Sequence, residues 1–143
     1  MDSKRLLTGT LVGVVVMSGM GFLLYEVLFA SFMEAQMAIT PLESPIWWAA
    51  ILSAVAHGLL ITLAIGWTGD ASAIGGLKTG TIIGFLVWFG ADMILYAILG
   101  SGFATLAGGL ADSVLATVQY GVAGAAIGAV LGRGAQQEMP AAA

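Results

Sequence analysis

The sequence predicts an all-α integral membrane protein of four transmembrane helices, arranged as two parallel-repeat helical hairpins with both termini on the cytoplasmic side. Three observations carry this prediction. Of 143 residues, 59% are hydrophobic and 8% charged, with a mean hydropathy of +1.02, whereas about a quarter of the residues in a soluble domain are charged. The apolar residues fall into four runs of about 20 or more, each long enough at about 1.5 Å per residue to cross a hydrocarbon core of about 30 Å. The third run, Thr79 to Ser101, also repeats the first. Thr8, Gly9, Thr10, Gly13, Gly19 and Tyr25 lie over Thr79, Gly80, Thr81, Gly84, Gly90 and Tyr96.

No polar block is large enough to fold separately, so residues 1–143 form a single four-helix membrane domain, with an internal repeat of about 6–66 on 77–132. The absence of Cys excludes disulfides, thiolate metal sites and Cys nucleophiles. Net charge is -4 and no basic stripe is present, which argues against nucleic acid as a partner. The expected partners are the lipid bilayer and other membrane subunits or copies of the chain.

Lys4 and Arg5 precede the first span, Leu6 to about Phe32. This run is longer than the apolar part of a secretory signal, and no small-x-small site closes it, so it reads as a retained helix. A first loop, Glu34 to Pro45, carries two acids, Pro41 and Pro45. Trp47 and Trp48 then mark an interface, since indoles favour the headgroup level, and the second span runs to about Gly66 with Trp67 at the opposite interface. Thr68 to Lys78 is the second loop, with room for a short helical turn. The third span covers Thr79 to about Gly100, Ser101 to Gly109 is a small-residue connection, and the fourth span runs from about Leu110 to Leu131. Arg133 and a loose tail with Pro140 follow. All four bases, Lys4, Arg5, Lys78 and Arg133, fall on one side of this arrangement. The positive-inside rule therefore places both termini in the cytoplasm.

The second and fourth spans correspond more weakly, Ser53 to Gly58 with Ala116 to Gly121. Each copy begins on the same side, which makes the repeats parallel and implies a pseudo-twofold axis along the membrane normal. Gly9 and Gly13, Gly80 and Gly84, and Gly124, Gly128 and Gly132 are spaced four apart, each set forming a smooth strip on one helix face. In lipid such strips drive close van der Waals packing between spans. One arrangement consistent with the repeat has the first and third helices meeting across the pseudo-axis through their matching strips.

Asp92 stands inside the third span, where the first copy has Gly21. A carboxylate there costs about 2.5 to 3.5 kcal/mol on insertion scales and should face protein or water. A protonated acid hydrogen-bonded to a neighbour is the purely structural alternative. Trp88, Asp92 and Tyr96 form a stripe beside the Gly80 and Gly84 strip. His57, the only histidine, lies about 15 Å below the Trp47 interface at helical rise. Asp92 comes to a similar depth from the other direction, and an Asp–His contact would pass a proton or bind a small cation or polar solute. Gln119 falls at comparable depth. Glu26, nearer the helix end, is placed to reach outer headgroups or another chain, and Asp112 is positioned as an N-terminal cap of the fourth helix. No phosphate loop, zinc-protease motif or serine elbow appears, so the chain reads as non-enzymatic and free of cofactors, although His57 could ligate haem or a pigment.

Three stretches, Tyr25 to Phe29, Gly75 to Asp92 and Asp112 to Arg133, resemble a group of uncharacterised small four-span bacterial membrane proteins, a domain of unknown function. The resemblance covers most of the chain and implies the four-span fold. It brings no activity and no functional residues. Two functions follow from the residues themselves. One is an accessory or scaffold subunit that packs through its Gly-rich helix faces; the other is a small transporter or channel that binds a proton, cation or small polar solute at an Asp92 and His57 cluster.

Overall fold

The computed structural model describes residues 2–38 and 44–137. Pro41, expected to shape the first loop, and Pro140 in the tail lie outside the described residues. The described chain is helical almost throughout. The elements are α1 (Ser3–Gly21), a π-helical segment (Phe22–Leu28), α2 (Ala30–Gln36), α3 (Trp47–Thr68), α4 (Ala73–Leu99) and α5 (Leu106–Gln137). Four helices are long and apolar enough to cross a membrane: α1 with its π extension, α3, α4 with the short 3-10 turn that follows it, and α5.

Helix α5 is the axis of the molecule. Half of its span is buried, against 11% for that of α4, because α5 is lined with small residues that let other helices approach. Against it lies α4, through Gly76, Gly80 and Gly84. A Cβ on Gly76 would strike the Gly124 carbonyl oxygen, and one on Gly80 the Tyr120 carbonyl oxygen. On α5, Gly124 faces Gly76 and Gly80, Gly128 faces Ser72 and Gly76, and Gly132 faces Ala71. The two backbones therefore touch along several turns, held by dispersion forces rather than by expulsion from lipid. Helix α1 packs on α3 by the same device, with Gly9 against Thr62 and Gly13 against Gly58, where an added Cβ would come within 2.7 Å of the Gly58 Cα. The arrangement in which the first and third helices meet through their strips is thus corrected. Each strip faces the following span instead, because a four-residue spacing defines a smooth face but not its partner. Helix α1 then leans on α5 through Met17, which packs with Ile61, Tyr120, Ala123 and Ile127 in the main buried cluster.

Three boundaries differ from the sequence expectation. The first span does not run as one helix to Phe32. It widens into π turns at Phe22, breaks at Phe29 (φ -119°, ψ 10°) and restarts as α2, which runs on into what reads as the first loop. Helix α4 begins at Ala73 rather than Thr79, and α5 at Leu106 rather than Leu110. The cause is capping: the Ser72 hydroxyl accepts from Gly75 N at 2.9 Å and the Thr105 hydroxyl from Gly108 N at 3.0 Å, so each helix starts at the first hydroxyl able to bind its free amides. Beyond α2, an isolated bridge joins Met37 to Ala104, with Thr105 N donating to the Gln36 carbonyl and Ala38 N to that of Phe103. This clasp closes the end of the bundle opposite the four bases.

The Ser72 cap makes a testable prediction. Asp70 accepts from the Ser72 hydroxyl at 2.6 Å and the Ser72 amide at 3.1 Å, and these bonds hold its carboxyl below the ordinary carboxylate value. A lowered folded-state value stabilises the fold above about pH 4, and that stabilisation is lost as pH falls through the folded value. Ser72→Ala should lower stability at neutral pH by about 1 kcal/mol and flatten the acid limb, as read by thermal unfolding in detergent across that range.

Candidate functional site

Four turns of α4 separate Gly76 from Asp92, and all five positions at that spacing (76, 80, 84, 88 and 92) face α5 or its neighbours. The glycines hold the backbones together near the basic end. Further along, the clearance grows: a Cβ on Gly84 would lie 2.6 Å from the Tyr120 Cβ, and one on Gly109 of α5 lies an ordinary 3.5 Å from the Asp92 Cβ. Trp88 and then Asp92 fill the widening seam. Asp92 is 1% exposed and Asp112 6%.

Asp92 does not find His57. Its Oδ2 accepts from the Ser113 hydroxyl at 2.8 Å, and that same hydroxyl lies 3.0 Å from the Gly109 carbonyl, so one proton serves two acceptors. Asp112 immediately precedes Ser113 on α5, so this bond sets the buried Asp92 against the turn that carries a second buried acid. Asp112 is thus a neighbour of Asp92 and not the cap of α5. Thr105 takes the capping position, and Asp112 lies nearly two turns inside the helix. The Tyr25 hydroxyl, from the π segment, sits against Asp112 and donates to its main-chain oxygen at 3.4 Å. Three elements thus converge on the acid pair, which lies about 10 Å from the nearer ends of α4 and α5 at helical rise.

A cavity of about 380 Å³ opens beside the pair. Asp112 and Tyr25 line it, with Glu26, Met33 and Glu34. Glu26, expected at the headgroups or against another chain, forms part of this wall. The cavity carries three carboxyls and no base. Among the described residues, no set of three or more His, Asp or Glu side chains is placed to hold a metal ion.

His57 and Gln119 come together elsewhere, in a groove nearer the middle of the bundle. The His57 ring meets Tyr120 at 5.5 Å and Trp88 at 6.2 Å between centroids, and Gln119 donates its amide to the Met17 carbonyl at 2.8 Å. No hydrogen bond among the described residues links His57 to Asp92; Trp88, one turn before Asp92, is what His57 meets. Tyr96, one turn beyond Asp92, is 37% exposed and joins neither group. Ser113 and Tyr25 are the functional candidates that sequence reasoning missed. Tyr25 enters that reasoning as a repeat position and as the start of a resembling stretch, and Ser113 carries no signal beyond its adjacency to Asp112. Comparison with protein-family models, curated proteins and solved structures gives no match.

Proposed function

We propose that the protein is a non-enzymatic membrane carrier or channel that takes up a proton, or a small cation in exchange for one, at the Asp92 and Asp112 pair. One observation carries this reading: buried Asp92 of α4 is held by Ser113 next to Asp112 of α5, which is itself buried and lines an acidic cavity. Burying either acid is unfavourable in a membrane, and the glycine seams already hold α4 to α5 without them. Such a pair stores a proton, and the Glu26 and Glu34 carboxyls at the mouth raise the local concentration of cations. The accessory reading is the weaker one, because the Gly strips it relied on for partners are covered by the chain itself.

In the same reading the chain consists of two parallel hairpins in a bacterial inner membrane, with both termini cytoplasmic and the acid cavity facing outward. Two points support this. Gly9 and Gly13 bind α1 to α3 as Gly80 and Gly84 bind α4 to α5, at matched positions of the repeat. Arg5, Lys78 and Arg133 also lie toward one end, as the positive-inside rule requires. The test is proton or cation flux into proteoliposomes, followed with a pH-sensitive dye. Asp92→Asn and Asp112→Asn should each lower the flux at least tenfold. Wild-type flux in the double variant would sink the proposal.

A further inference from the structure

The second groove is separate from the acid pair, since Asp92 does not line it. It opens between all four long helices, with a volume of about 360 Å³. Its walls are aromatic: His57 and Trp47 from α3, Trp88 from α4 and Tyr120 from α5. Trp47, at the mouth, is 67% exposed, so the opening faces the surroundings of the helices rather than a closed interior. His57 lies about 15 Å along α3 from Trp47, so the groove reaches from an interface into the hydrocarbon layer.

The hydrogen-bonding groups in this groove are arranged for a ligand that accepts. Tyr120 is fully buried, and its hydroxyl oxygen accepts from Trp88 Nε1 at 3.1 Å. Its proton has no acceptor among the described residues, although a buried hydroxyl ordinarily uses its donor. The Ser53 hydroxyl lies 3.5 Å from His57 Nδ1, at the outer limit of a hydrogen bond. With Ser53 as donor, the imidazole proton resides on Nε2, a second donor. Gln119 gives one amide hydrogen to the Met17 carbonyl and keeps a second N–H and its carbonyl oxygen. Gly21 makes room for this, since a Cβ there would lie 2.8 Å from Gln119 Nε2. No charged side chain lines the groove, which disfavours phosphates. A flat, uncharged ring bearing carbonyl oxygens matches the aromatic walls, the donors and the volume.

We propose that this groove binds the headgroup of a membrane quinone, with ring carbonyls accepting from Tyr120 and His57 and the isoprenoid tail left in the lipid. The proposal concerns binding and requires no redox step. The test uses the full chain in detergent micelles, titrated with ubiquinone-1 and with menadione and read by tryptophan fluorescence, since Trp47 and Trp88 lie in the walls. Saturable quenching in the micromolar range is expected. Tyr120→Phe and His57→Leu should each weaken it at least tenfold. Ala54→Phe, which places a ring in the groove without deleting any polar group, should abolish it, and its circular dichroism and melting profile should match those of the wild type. Quenching of the wild type that is linear and equal to that of a micelle-dissolved tryptophan ester would overturn the proposal. So would wild-type affinity in a folded Ala54→Phe variant, or quinone displaced by added phospholipid at equal micellar mole fraction, which would assign the groove to lipid.

Discussion

Gly80→Ile should unfold the α4 and α5 pair, lowering stability by at least ~3 kcal/mol. The Gly80 α-carbon faces the α5 backbone so closely that an added Cβ would fall on the Tyr120 carbonyl oxygen, with the Gly124 Cα at 3.2 Å behind it. Neither obstacle is the flexible end of a side chain. Relief requires moving a helix, and moving α4 away from α5 opens Gly76 and Gly84 as well, so the loss spreads along the seam. Gly90 is the internal control. It lies on the same helix, but nothing comes within 4 Å of the Cβ it lacks, so Gly90→Ile should change stability by no more than ~0.5 kcal/mol. Unfolding in mixed micelles of increasing SDS fraction, followed by tryptophan fluorescence, separates the two variants. If Gly80→Ile and the wild type unfold at one SDS fraction, the seam does not hold these helices together.

The same contrast shows what the sequence could and could not reveal. Four spans were legible because lipid imposes length and hydropathy on each of them separately. The glycine strips were legible as faces, since a four-residue spacing on a helix is a local property. Their partners were not, because pairing depends on how spans cross. The π segment was hidden for a related reason: the apolar run that contains it is continuous, and nothing within the run marks the widening at Phe22. One correction was within reach. Thr105 precedes Gly108 by three, an N-cap spacing, and counting from Thr105 sets Asp112 too deep in α5 to be a cap.

The depth of Asp112 changes how Asp92 is understood. Alone, an intramembrane acid next to a glycine strip is equally consistent with a structural hydrogen bond. With Asp112 adjoining and Ser113 donating, the site has more acid than packing requires. It also lies at the clasped end of the bundle, where the Gln36 and Thr105 backbones join. A fold that needed only to close this end already has that clasp.

Asp92→Asn and Asp92→Leu should accordingly separate stability from flux. Asparagine keeps an oxygen for the Ser113 proton and fills the same volume, but it cannot ionise or share a proton with Asp112. Its stability should fall within about 1 kcal/mol of the wild type, while flux drops at least tenfold. Leucine removes the buried acid altogether. Ser113 then still donates to Gly109, 3.0 Å away, so no donor is stranded, and replacing a buried acid with an apolar side chain should leave stability unchanged or raise it. Ser113→Ala should act in the opposite sense: it strips Asp92 Oδ2 of its donor while leaving the acid buried, a change that costs about 1 to 3 kcal/mol. A structural acid would give the reverse order, with Asp92→Leu the least stable of the three. The decisive result is therefore a ranking by unfolding in detergent alongside flux in proteoliposomes. An Asp92→Leu protein that is destabilised by several kcal/mol, or that retains wild-type flux, would show that the carboxyl is there to hold the helices rather than to carry a proton.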